Sequence, residues 1–259
     1  MRLDQYIVKK GYMTTRSRAQ DAIKDGCVRV NNQIITKNSY HVEDHDIISI
    51  EAKDIAFASR AGYKLYDILK PFQINLKNRI CIDVGASTGG FSDVCLQEGA
   101  SLVYAVDVGK DQLLQRLKDD PRIVNMESTN CRYLKRSMFS QPIDFACMDV
   151  SFISMKLILP ALFEIMEHVE IVALIKPQFE AGKQFISKNG IVKDEKIHIQ
   201  ILKDMVDFVN SQGYYVKNLC ASSILGRDGN KEFIIHIVNE PCQHVFAYRD
   251  IVKNYEVKR

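Results

Sequence analysis

Apolar positions recur at helical spacing twice near the start of the chain, over 3–10 (LDQYIVKK) and 16–24 (RSRAQDAIK). The pattern then switches to alternation in CVRVNNQII, where Asn31-Asn32 reads as a hairpin turn, and a further strand, DIISI, covers 46–50. Thr14 and Thr15 are placed to cap the second helix, and Asp25-Gly26 to close it. Two helices and a small sheet predict a compact α+β unit over residues 1–50. Residues 51–58 (EAKDIAFA) read as a linker.

From residue 59 the pattern becomes an alternation of strands and helices. Strands are expected at 79–84, 102–107, 122–126, 143–149, 169–175, 214–221 and 232–239. Helices are expected at 59–71, 90–98, 110–118, 155–166 and 195–212. The strands are short, apolar and β-branched, as in IVALI, which indicates a parallel sheet buried on both faces by helices. The last two strands have no long helix between them, so antiparallel pairing is expected. This second domain covers 59–245, with a tail over 246–259.

The bulk numbers change this picture in three places. Hydrophobic residues make up 46% of the 259 and charged residues 26%, which fits a folded globular chain. The net charge is only +3, but the first 40 residues carry eight Lys/Arg against three acids. A basic head on a near-neutral body points to a polyanionic partner. The seven cysteines form no CxxC pair and sit mostly in apolar runs, so they read as free thiols of a reducing compartment, with no metal site. The opening MRLDQY has no apolar signal core and no run is long enough to span a bilayer, so the expected location is cytoplasmic.

The most informative motif is Asp83-Val84-Gly85-Ala86-Ser87-Thr88-Gly89-Gly90-Phe91, a buried strand running through a glycine-rich turn into a helix. A phosphate-binding loop would end in Gly-Lys-Ser/Thr, and here Phe91 follows Gly90. A dinucleotide fingerprint would need glycine at 87, which is Ser87. Asp107 ends the next strand, where an acid accepts hydrogen bonds from ribose hydroxyls. A nucleoside ligand with no pyrophosphate fits this combination, and S-adenosylmethionine is the obvious candidate.

Asp149 and Lys176 end successive strands, at the sheet edge where α/β proteins bind ligands. Lys64 lies on the helix before the first strand of this sheet, and Glu232 opens the last strand. Any one of them alone reads as a surface charge; together they suit methyl transfer to a hydroxyl. Lys176, with Lys64 nearby, would take the hydroxyl proton or stabilise the forming alkoxide. Asp149 and Glu232 would orient the two ammonium groups.

The blocks SRAGYKL, DVGASTGGF, AVDVG, MDVSFIS, IKPQFEAGK, GIVKD and LGRDGNKE resemble the TlyA family, annotated both as haemolysins and as ribosomal RNA 2′-O-methyltransferases. The head resembles an S4 RNA-binding domain and the body an FtsJ-like, Rossmann-type class I methyltransferase. The resemblance covers nearly the whole chain. It implies a Lys-Asp-Lys-Glu tetrad at Lys64, Asp149, Lys176 and Glu232. It implies cofactor contacts from Gly85–Gly90, Asp107 and the loop holding Asn130 and Arg132, and RNA contacts from Arg2, Arg16, Arg18 and Lys24. The implied substrate is cytidine ribose of ribosomal RNA in assembled subunits, with a link to capreomycin-type antibiotic sensitivity. Ala61-Gly62 and Ser222-Ser223 depart from the family's usual Gly-Gly and Ser-Pro. Two rival readings are a membrane-lytic haemolysin and an RNA-binding module with an inactive methyltransferase body.

Overall fold

The computed structural model describes residues 1–259 except 14, 15, 25, 44, 51–55, 227, 228, 243 and 256–259; the side chains of 17, 18 and 21 are also left undescribed. The expected caps at Thr14 and Thr15, and the turn residue Asp25, lie outside the described residues. The chain divides into two compact units, Met1–Ala56 and Phe57–Arg259.

The first unit holds α1 (Leu3–Lys9), α2 (Arg16–Lys24), β1 (Val28–Val30), β2 (Gln33–Ile34) and β3 (Ile48–Ile50). Its antiparallel sheet has the order β2-β1-β3. Asn31 and Asn32 both take positive φ, 50° and 66°, which makes the tight turn between β1 and β2. Leu3, Ile7, Ala19, Ile23, Val28, Val30 and Val42 form a small core of its own.

The second unit contains, in order, α3 (Gly62–Leu69), β4 (Ile80–Val84), α4 (Gly90–Gln97), β5 (Leu102–Val106), α5 (Gln115–Lys118), β6 (Ile123–Met126), β7 (Phe145–Met148), α6 (Leu159–Ile165), β8 (Glu170–Ile175), α7 (Pro177–Glu180), α8 (Glu195–Ser211), β9 (Tyr215–Ala221), β10 (Phe233–Val238) and α9 (Tyr248–Lys253). The strands form one seven-stranded sheet, β6-β5-β4-β7-β8-β10-β9. Neighbours from β6 to β8 are parallel, while β10 runs antiparallel to both β8 and β9. The order turns back on itself between β4 and β7, which opens a ligand crevice at their carboxyl ends. Strand alternation feeds two cores. Ile82 and Val84 belong to one, with α6 and α8; Cys81 belongs to the other, with α3 and α4.

Three stretches differ from the pattern-based expectation or refine it. The helix expected at 110–118 shrinks to α5, because the Glu127 carboxylate captures the Gln112 and Leu113 amides at 2.6 and 2.9 Å and Asp111 adopts φ 55°. Those amides are then unavailable to a helical ladder. Phe57, within the stretch read as linker, is buried and packs on the rings of Tyr63 and Tyr66. The stretch 246–259 holds α9, whose Val252 is fully buried.

Candidate active site

The turn after β4 is shaped by what crowds it. Gly85 sits at φ 87°, and a Cβ there would lie 2.6 Å from the Asp149 carbonyl oxygen, so only glycine lets these two strand ends approach. The Gly85 and Ala86 amides bond to the Val106 carbonyl. Asp107 then closes the loop: its Oδ2 accepts from the Ser87 amide at 2.8 Å and its Oδ1 from the Gly109 amide at 2.7 Å. The Thr129 amide bonds to the Asp107 carbonyl, which brings the 128–132 loop alongside. There the exposed Asn130 accepts from the Arg132 amide at 3.1 Å.

Asp83 lies beneath this turn and is 1% exposed. Its Oδ2 accepts from the Ser92 amide and hydroxyl at 2.8 and 2.7 Å, while its Oδ1 has no protein partner. Burial outweighs those two hydrogen bonds and pushes its carboxyl up to about 7. The other glycine-loop residues are placed differently. Gly89 faces Leu113 and Leu117, Gly90 faces Ser59 and Gly62, and Phe91 is a core side chain. Along the turn Ser87 is exposed and Gly85 and Thr88 are half-buried, while Asp83, Ala86, Gly89 and Gly90 are buried.

The four residues expected as a tetrad come together. Lys64 on α3 donates to Glu232 Oε2 at 2.6 Å and lies 3.8 Å from Asp149 Oδ2. Lys176, at the end of β8, is 2.5 Å from Asp149 Oδ1 and donates to Ser151 Oγ at 3.0 Å. Lys64 and Glu232 are buried, and Asp149 and Lys176 are nearly so. Burial alone would lower the Lys64 ammonium pKa, but Asp149 and Glu232 outweigh it and raise it. Burial likewise disfavours the Asp149 carboxylate, and the two lysines reverse that, so its pKa is lowered. The result is a square of alternating charge joined on three sides, Glu232 to Lys64, Lys64 to Asp149 and Asp149 to Lys176, with Asp149 shared by both lysines.

Several participants were not singled out by sequence reasoning. Ser151 supports Lys176. Phe152 follows it at φ 65°, is 91% exposed, and meets Phe179 at 5.2 Å between centroids. A bulky residue at positive φ with its ring in solvent is a local sacrifice of stability, the kind that collects at functional sites. Gly226 lies over Glu232, and a Cβ there would fall 2.2 Å from Oε1. Phe152 had a signal within the Asp-Val-Ser-Phe run; Gly226 had none beyond its neighbours.

Two of the expected RNA-contact residues, Arg2 and Arg16, are already engaged within the first unit. Arg2 forks onto both oxygens of Asp4 at 3.0 and 3.1 Å, and Arg16 Nε donates to Oδ2 at 2.9 Å. Both guanidinium side chains stay about half exposed while Asp4 is wholly buried. Lys24 is half-buried, and the Arg18 side chain lies outside the described residues.

Comparison with known proteins identifies both units. The FtsJ-like methyltransferase family matches residues 57–238, and the S4 domain matches residues 1–48. Hemolysin A of Brachyspira hyodysenteriae is 41% identical over 240 residues, 92% of this chain and 100% of that protein. The 16S/23S rRNA (cytidine-2′-O)-methyltransferase TlyA of Mycobacterium tuberculosis is 35% identical over 236 residues, 90% of this chain and 88% of that one. A solved structure, "Putative hemolysin from Streptococcus thermophilus", is 39% identical with a TM-score of 0.79, covering 98% of this chain and 95% of that one. The chain therefore belongs to the TlyA family, an S4 domain followed by an FtsJ-like methyltransferase domain.

Proposed function

We propose that this protein methylates the ribose 2′-hydroxyl of a cytidine in ribosomal RNA, within assembled subunits in the cytoplasm, with S-adenosylmethionine as methyl donor. The observation that carries the reading is the Lys64–Glu232 and Asp149–Lys176 square beside the glycine turn, where Gly85 is pressed against the Asp149 carbonyl. The turn suits this cofactor on its own chemistry. Asp107 stands where ribose hydroxyls would be held, and the unpartnered Asp83 oxygen leaves a polar group unspent beneath the turn.

Bound S-adenosylmethionine supplies a methyl carbon made electrophilic by its sulfonium. The protein's own work is to hold the 2′-oxygen in line and to steady its charge. Lys176 is ion-paired with Asp149 and donates to Ser151, which leaves it donor capacity for the 2′-oxygen. An ion-paired Lys176 favours charge stabilisation over proton abstraction, so the proton leaves to water as the C–O bond forms. Lys64, kept charged by its two carboxylates, fixes Asp149 and hence the direction of Lys176. Phe152, exposed beside this edge, offers a face on which an unstacked base can rest. Arg2, Arg16, Arg18 and Lys24 supply the phosphate contacts.

The haemolysin reading requires contact with a bilayer. Among the described residues no helix is long and apolar enough to cross a membrane.

The test is transfer from tritiated S-adenosylmethionine to purified 30S and 50S subunits, with Lys176→Ala as control. Label on wild-type reactions only, recovered as 2′-O-methylcytidine after nuclease digestion and mass spectrometry, is expected. Label on a base, or equal label with Lys176→Ala, would overturn the assignment.

A further inference from the structure

Glu232 stands one residue before β10, so its amide lies outside the ladder to β9, whose pairing begins at Phe233 with Ala221. Its carbonyl is held by the Ser222 amide at 2.9 Å. Its amide has a different partner: the hydroxyl of Tyr255, at 3.3 Å, just beyond α9. The same hydroxyl donates to the Ile224 carbonyl at 3.1 Å. One oxygen thus joins the residue that carries the carboxylate to the turn that places Gly226 over it.

The ring around that hydroxyl is anchored independently. It meets Phe233 edge-on at 6.0 Å and 85°, and the Lys231 ammonium lies 5.6 Å above it. Lys231 also donates to the Val252 carbonyl at 3.0 Å, which ties α9 to the approach to β10. Burial raises the phenol pKa, so the hydroxyl keeps its proton and both of its hydrogen bonds at neutral pH.

We propose that Tyr255 is a positioning residue of the transfer site, holding Glu232 at the distance from Lys64 that aligns the charged square. This rests on the reading that the square carries out the transfer. Tyr255 acts through Glu232. The ring supplies packing, and the hydroxyl supplies position.

Tyr255→Phe separates the two, because it keeps the ring and removes the hydroxyl. The expected result is a fall in kcat of about tenfold, within the roughly hundredfold that a misplaced group can cost. The S-adenosylmethionine Kd by calorimetry and the subunit KM should stay within about twofold, since binding and transition-state terms separate in this way. A second readout needs no turnover. The 15Nζ ammonium signal of Lys64, assigned by its absence in Lys64→Met, should broaden or vanish in Tyr255→Phe, as it should in Glu232→Gln.

An unchanged kcat with an unchanged Lys64 signal overturns the proposal. So does a parallel loss of kcat, cofactor affinity and melting temperature, which would make the hydroxyl a structural bond only. If wild type transfers no methyl group, the proposed function fails, and the Lys64 signal alone decides the positioning role. Retained in Tyr255→Phe, the signal rejects that role; lost, it supports it.

Discussion

Each unit of this protein buries carboxylate beside cations, but the two clusters are finished differently. In the first unit Asp4 is wholly buried and accepts from the Arg2 fork, Arg16, Gln20 and the Gln5 amide. Planar guanidinium groups fill both of its oxygens and hold them rigidly. In the second unit Asp149 and Glu232 are met by two lysines, each a point charge on a flexible stem. Lys176 keeps donor capacity that Asp149 and Ser151 do not use. The first cluster is a brace with its hydrogen bonds spent internally, although its arginines remain about half exposed. The second sits at the carboxyl edge of the sheet with capacity left over, which is what a reacting oxygen requires.

The sharpest way to break this contrast is Lys64→Met. It strands Glu232 and leaves Asp149 with one cation, so transfer should fall by about a thousandfold, in the range of losing a preorganised charge. The body should also lose about 3 kcal/mol of stability, as when one partner of a buried pair is removed. Single-turnover assays and thermal melts check the two halves. Full activity would mean that the square is a brace like Asp4.

Next in size is Asp4→Asn, which should leave the square untouched. It removes the charge on which Arg2 and Arg16 converge, and amide hydrogen exchange across Leu3–Val30 should quicken at least about tenfold. Exchange in β4, β7 and β8 should not change. Protection lost equally in both units would show that the braces are not separate.

Smaller again is the split between Arg16→Ala and Arg18→Ala. Each should weaken binding to ribosomal RNA and lower the salt slope by about 1. Arg16→Ala should also loosen the first unit, because its Nε holds Asp4. Arg18→Ala with an unchanged slope would remove it from the phosphate contacts.

Much of the site was legible because chemistry and topology coincide at strand ends. The strand, glycine turn and helix from Ile80 to Gln97, and the charges at 107, 149 and 176, follow from period and position. Lys64 and Glu232 join them by placement too, on the helix before the first strand of the sheet and at the opening of its last, and the family resemblance implies the same four. Other features stayed hidden because they depend on single distant contacts. Glu127 reaches back to the 112–113 amides and unmakes part of a helix that the apolar pattern supports. Tyr255 lies within a stretch that reads as a tail, and its i, i+4 relation to Ile251 is too short a signal to announce a helix on its own. Phe152 gives no sign in the sequence of its positive φ.

The smallest expected effect concerns pH and separates Asp83 from the carboxylates whose bonds are complete. Its pKa is raised by burial to about 7, whereas Glu127 and Glu170 are depressed to about 2, burial opposing but their hydrogen bonds and cations prevailing. A raised carboxyl binds more protons folded than unfolded, so its contribution is full below the unfolded pKa and is lost as pH rises through about 7. Depressed carboxyls behave in the opposite sense: their contribution is present above the unfolded pKa and is lost as pH falls toward about 2. The body should therefore lose stability gradually between about pH 4 and 7 on the account of Asp83, and more steeply below pH 4 on that of the other two. Asp83→Asn should flatten the upper slope and leave the lower one in place, read from melting temperatures at half-unit steps of pH. A slope between pH 5 and 7 that survives the substitution would assign it to other groups, and the open oxygen of Asp83 would then carry no protonation signal of its own.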